Sequence, residues 1–122
     1  MDEFKATTRE KGYLGEDLAI QYLSDIGYTI IQKNFVFGKT GEIDIIAREG
    51  KTLCFIEVKA RANEAYGSVY ETVPAWKQKK IRRTAEGYLY VNKISNVECR
   101  FDFIGIDYSF KPPMVDLIKD AF

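Results

Sequence analysis

There is no histidine among the 122 residues of this chain. That absence removes Ser-His-Asp triads, Cys-His dyads and His-rich zinc sites together. Any chemistry has to run on carboxylates, on lysine or on a hard metal ion. Cysteine is almost as scarce. Cys54 and Cys99 each sit in an apolar strand-like run and neither belongs to a CxxC, so two buried free thiols are expected rather than a disulfide or a metal site. No apolar run approaches membrane-spanning length. The segment from Met1 to Glu10 is polar and of mixed charge, unlike a signal peptide. A cytoplasmic location with no membrane partner is expected. Charge of one sign is not in excess either, since 18 basic and 18 acidic side chains cancel. The balance argues against a nucleic-acid binder driven by net charge alone and leaves local patches open.

What is present is enough apolar material for one core. Hydrophobic residues make up 46% of the chain, which suits a single domain over residues 1–122 and is too little for two. Leu14, Leu18, Tyr22 and Ile26 recur every four residues, and Ala19 and Leu23 widen the stripe. They predict a helix from Thr7 or Thr8 to Ile26, stopped by Gly27. Strands are expected at 28–35, 42–48 and 52–60. Pro74 fits the first turn of a second helix reaching about Val91, with Ile81, Ala85, Tyr88 and Leu89 inward. A fourth strand over 98–107 is broken by Pro112 and Pro113, and 114–118 could add an edge strand. The order αβββαβ(β) describes a mixed α/β domain with a meander at its centre.

The stretch GEIDIIAREGKTLCFIEVKAR, residues 41–61, carries the unusual chemistry. If Gly50 and Lys51 form a two-residue turn, Glu49 faces Thr52. Counting back along both strands then brings Asp44 opposite Glu57 and Glu42 opposite Lys59. Side chains alternate faces along a strand. One face carries Ile43, Ile45, Ala47, Cys54, Ile56, Val58 and Ala60. The other carries Glu42, Asp44, Ile46, Leu53, Phe55, Glu57 and Lys59, apolar near the turn and charged away from it. Like charges directly opposite destabilise a sheet, and more so if buried. Either one carboxyl takes a proton or a cation sits between them. Carboxylate oxygens with no histidine or cysteine nearby suit Mg²⁺ or Mn²⁺. The plain alternative is a solvated charged face with a Glu42–Lys59 ion pair. It accounts well for those two residues and poorly for Asp44 and Glu57.

Asp44 followed by Glu57-Val58-Lys59 after a hairpin resembles the PD-(D/E)xK nuclease motif of the restriction-endonuclease-like fold, with Ile43 where that motif often has proline. GYLGEDLAIQYL, GEIDIIA, FIEVKAR, KQKKIRRTAEGYL, RFDFIGID and the closing KDAF together resemble the YraN-like family of small bacterial proteins. That family is similar in turn to archaeal Holliday-junction resolvases. The resemblance spans nearly the whole chain. It implies a restriction-endonuclease-like α/β domain, with a mixed sheet of four to five strands flanked by helices. It further implies a metal-dependent endonuclease acting on branched, structured or single-stranded DNA, and a homodimer by analogy with resolvases. Asp44 and Glu57 would bind Mg²⁺ or Mn²⁺, with the Val58 carbonyl and Glu16 completing the shell, directly or through water. Lys59 would orient the attacking water or offset charge on the phosphate. Related nucleases also place a glutamine from the second helix near the site, and Gln78 is that residue here. Its position on the inward stripe demands a partner in any case.

KQKKIRR packs five basic residues into seven. Lys77, Lys79, Lys80, Arg82 and Arg83 are either a solvated helix face or a surface for the phosphate backbone. Arg61 could meet a phosphate or form a surface salt bridge. Trp76, Tyr66 and Tyr70 could stack on unpaired bases, although Trp76 at a helix start is expected to pack. Asp102 and Asp107 are read as structural. Two rivals to the nuclease stand. One is a nucleic-acid-binding module of the same fold without efficient catalysis. The other is a protein-interaction domain using the charged face, which should show no DNA affinity at low salt.

Overall fold

The computed structural model describes residues 8–61 and 73–122; Tyr66 and Tyr70 lie outside them. The elements are α1 (Thr8–Asp25), β1 (Thr29–Phe37), β2 (Gly41–Glu49), β3 (Thr52–Arg61), α2 (Ala75–Val91), β4 (Glu98–Asp107) and β5 (Met114–Ile118). The sheet runs β1-β2-β3-β4-β5 in space as in sequence. Every neighbouring pair is antiparallel except β3 and β4, which are parallel because α2 lies between them in the chain. This is the α/β arrangement of a restriction-endonuclease-like domain, a five-stranded mixed sheet with two helices.

Each helix closes one face of the sheet. Ala19 and Leu23 of α1 are fully buried against Ile45, Ala47, Cys54, Ile56, Ile104 and Ile106. The buried stripe of α1 is therefore centred on Ala19 and Leu23, and Ile26, expected to be inward, is 47% exposed. The helix stops where expected: Gly27 N–H reaches the Ser24 carbonyl and Tyr28 N–H the Leu23 carbonyl, the two bonds of a Schellman end. On the other face Ile81, Ala85 and Tyr88 of α2 pack on Ile43, Ile46, Leu53, Phe55 and Phe103. Tyr88 meets Phe35 and Phe55 edge-on. Each such fully buried side chain contributes about 1.5–3 kcal/mol, so both faces of the sheet are true core faces. Cys54 is buried as expected, but Cys99 is exposed. It lies at the start of β4, before that strand passes under the helices.

The hairpin turns at Gly50, whose φ of +60° suits a residue without a Cβ. Glu49 faces Thr52, and the ladder continues to Ile45 opposite Ile56. There the regular pairing ends, one step short of Asp44 and Glu57. The expected cross-strand neighbours Asp44–Glu57 and Glu42–Lys59 thus lie beyond the ladder. Its end coincides with a change of face. Lys33 pairs with Ile45 and Phe35 with Ile43. Lys33 forms an ion pair with Asp17 of α1, whereas Phe35 and Ile43 pack under α2. Two residues two apart on a regular strand share a face, so alternation slips between them, at Asn34 and Asp44. Asn34 has φ +55°, the left-handed conformation that asparagine tolerates better than most residues. Ile43, expected beside Ile45, is turned to the opposite helix for this reason.

Candidate metal centre

Asp44 sits at this slip, and its side chain takes over a backbone role. Its Oδ2 accepts the Val58 N–H at 2.8 Å, a bond the ladder would otherwise supply from a main-chain carbonyl. The strands are pinned together by the carboxylate itself, and Asp44 is brought against Glu57. Burial raises the Asp44 pKa well above the ordinary carboxylate range. The charge of Glu57 and a hydrogen bond between the two carboxyls push it further, and Glu16 adds to the same direction, while the Val58 N–H opposes it. Two carboxyls in bonding contact at neutral pH share a proton unless a cation replaces it.

Glu57 is 7% exposed, and Lys77 from the first turn of α2 forms an ion pair with it. Lys77, expected on a phosphate-binding surface, here sits on the carboxylate. Glu16 approaches from α1, on the other side of the sheet. The Asn34 side chain hydrogen-bonds it, and burial raises its pKa despite that bond. Its Oε1 is buried with no hydrogen-bond partner. Asn34 thus links Glu16 to the strand position opposite Asp44. Sequence reasoning missed this residue, although an asparagine inside an apolar strand is a signal of irregular backbone.

A cavity of about 370 Å³ opens over the pair, lined by Asp44, Glu57, Val58, Trp76, Lys77 and Lys80 among others. A second, of about 300 Å³, adjoins it through Glu57, Val58, Trp76 and Lys77 and adds Lys59. Gly41 forms part of the first wall. A Cβ there would stand 2.7 Å from the Thr84 Oγ1, so α2 can lie this close to β2 only over a glycine.

The remaining candidates divide. Gln78 does not line either cavity; its amide donates to the Val73 carbonyl at 2.8 Å, the partner its inward position demanded. Arg61 forms a 2.8 Å ion pair with Asp107 in which both side chains are largely buried, not a surface bridge. Ser109 and Arg61 together hold the Asp107 carboxyl below its usual range. The Arg82 guanidinium stacks on the Phe101 ring at 4.6 Å. Lys79, Lys80 and Arg83 are exposed, and of these Lys80 reaches the cavity. Trp76, expected to pack, is 64% exposed. Asp102 is structural as expected, fully buried in contact with Arg100 and Tyr28.

The donor set fits a hard divalent cation. Asp44 and Glu57 offer only oxygens, they are brought together at an electrostatic cost, and a third carboxylate nearby carries an orphaned oxygen. The fit is to a pair, however. Among the described residues no three acidic or cysteine side chains converge into a ready-made cluster, so Glu16 stands off the pair and would act through an intervening water.

Comparison with known proteins gives a family and no chemistry. The model of the uncharacterised protein family UPF0102 matches residues 15–106, a span that holds Glu16, Asn34, Asp44, Glu57 and α2. A UPF0102 protein of Acetivibrio thermocellus is 42% identical over 97% of this chain and 95% of its own length. One from Clostridium kluyveri is 44% identical over 93% and 94%, and one from Chlorobium chlorochromatii 41% over 95% and 93%.

Proposed function

The chain belongs to UPF0102, the YraN-like family, and from that premise we propose that it is a metal-dependent nuclease hydrolysing DNA phosphodiester bonds. One observation carries the reading: Asp44 and Glu57 are held carboxyl to carboxyl beneath an open cavity whose other charged walls are Lys77, Lys80 and a further carboxylate, Glu42. A purely structural pair of acids would be separated or neutralised by arginine. Among the described residues Lys77 sits on this pair, and a divalent cation can displace both that ammonium group and the proton the two carboxyls share.

Asp44 and Glu57 hold Mg²⁺ or Mn²⁺ in this reading, with the Val58 carbonyl and, through water, Glu16 as further oxygens. The bound ion would supply a polarised phosphate and a water of lowered pKa. Lys59, at the adjoining cavity, offsets charge growing on the phosphate oxygens or orients the water. Lys77 and Lys80 draw the phosphate in, and exposed Lys79 and Arg83 extend the contact along the strand. Gln78 and Arg61 drop from the chemistry to support, since each already has an internal partner. A four-way junction needs two paired cuts, so a junction substrate would go with a homodimer.

The binding-module reading keeps one observation in its favour, the lack of a three-carboxylate cluster among the described residues. A cleavage assay separates the two. Single-stranded, duplex and four-way-junction DNA are incubated with Mg²⁺, Mn²⁺ or EDTA, with Asp44→Ala and Lys59→Met in parallel. Cleavage that needs metal and is lost in both variants is expected. DNA binding at low salt without cleavage would leave the binding module, and no binding at all the protein-interaction domain.

A further inference from the structure

Trp76 is the only tryptophan in the chain and it is 64% exposed. Among the described residues it takes part in no ring stacking and no cation–π contact. Isolated apolar residues on a surface need no explanation; the position of this one does. Tyr90 and Val91 are also exposed, but at the far end of α2, away from the carboxylates. Trp76 lines both cavities together with Glu57 and Val58. The next residue, Lys77, sits on Glu57, and Lys80, one turn further along α2, borders the same cavity. A flat apolar ring and two ammonium groups therefore converge beside a carboxylate pair, with Glu42 on the same cavity wall.

A nucleotide has the matching parts, a flat base and an anionic phosphate. An indole offers its face to a base of any sequence. A base inside a duplex cannot use it, because both of its faces are covered by its neighbours, and extruding it costs a few kcal/mol. We propose that Trp76 is the stacking platform for an unpaired nucleobase whose phosphate lies at Lys77 and Lys80, beside the metal that Asp44 and Glu57 would hold. The substrate is then DNA with single-stranded nucleotides at the cut, such as a strand end, a flap or the unpaired centre of a branch. This deepens the nuclease reading and rests on it for the cut, while the stacking itself needs no catalysis.

The single tryptophan makes the test direct. Its emission is followed in EDTA, at low salt, on adding a single-stranded oligothymidylate of about 12 nucleotides, within the span such surfaces cover, or a blunt duplex of the same length. Quenching by the single strand and not by the duplex is the expected result. Trp76→Ala should weaken single-strand binding by roughly tenfold, leave duplex binding unchanged and leave the thermal transition in place. Trp76→Phe should keep most of the affinity. No quenching, equal quenching by both DNAs, or unchanged single-strand binding in Trp76→Ala would each overturn the platform. The two readings fail separately. Quenching without metal-dependent cleavage removes the nuclease and keeps the platform. Cleavage of single strands and junctions by Trp76→Ala at the wild-type rate removes the platform and keeps the nuclease.

Discussion

Asp102 and Asp44 are both acidic residues in the sheet, and the fold treats them in opposite ways. Asp102 is fully buried and every lone-pair direction is used. Oδ1 accepts Arg100 Nε at 2.8 Å and the Asp120 N–H at 2.9 Å. Oδ2 accepts a second Arg100 nitrogen at 2.9 Å and the Tyr28 hydroxyl at 3.3 Å. Arg100 reaches on to Glu49, which also accepts Lys119. Charges of opposite sign alternate through the whole network, and it ties β5 and the residues after it to the hairpin. Asp44 receives one backbone N–H and faces a second carboxyl. A buried carboxylate that serves the fold is surrounded by donors. Asp44, facing its own kind, has no such set of donors among the described residues, and the proposed cation would offset that charge.

Removing a carboxylate should therefore do opposite things in the two regions. The largest effect is expected for Asp102→Ala, which strands Arg100 beside Tyr28. It should cost about 3–5 kcal/mol, read from denaturant unfolding. Asp44→Asn should move stability the other way. Without metal it removes a buried like-charge conflict and should stabilise by about 1–2 kcal/mol, while abolishing the response to Mg²⁺ or Mn²⁺. A destabilised Asp44→Asn would place Asp44 in the same structural class as Asp102.

The pH dependence sharpens the contrast. The folded pKa of Asp44 is raised above its unfolded value, so the metal-free fold binds a proton that the unfolded chain has released. Its contribution is complete below the ordinary carboxylate range and declines as pH rises from there toward the raised value. Asp44→Asn should flatten that decline in a series of thermal transitions. Added Mn²⁺ should flatten it in the wild type. The smallest effect is expected for Lys77→Met. Lys77 is a partly exposed partner, and such pairs are worth about 0–1 kcal/mol. Its loss should leave stability nearly unchanged and show instead as weaker DNA binding with a shallower salt dependence.

Most of the fold was legible in the sequence because it rests on periodicity. The two helices, the five strands and the Gly50 turn follow from apolar spacing and turn chemistry. The carboxylate pair followed from counting along that hairpin. What the count could not supply is the slip at Asn34 and Asp44, since strict alternation is the premise of counting. It was this slip that moved Ile43 to the α2 side and set Asp44 on the Val58 N–H. Lys77 and Trp76 were visible as residue types, but the rotation of α2 decides which basic residue meets Glu57 and whether an indole is covered, and a basic run does not reveal its own phase. The Arg100–Asp102 pair did carry a local signal, opposite charges two residues apart on one strand face.

In the proposed metal centre, Asp44 and Glu57 face each other because a divalent cation belongs between them. Calorimetric titration of Mn²⁺ into the wild type and Asp44→Asn, at two pH values and in two buffers of different ionisation enthalpy, tests it most directly. The expected result is binding to the wild type that releases a proton and tightens as pH rises, with none in the variant. Equal binding to both proteins, or binding to the wild type that neither releases a proton nor depends on pH, would contradict it.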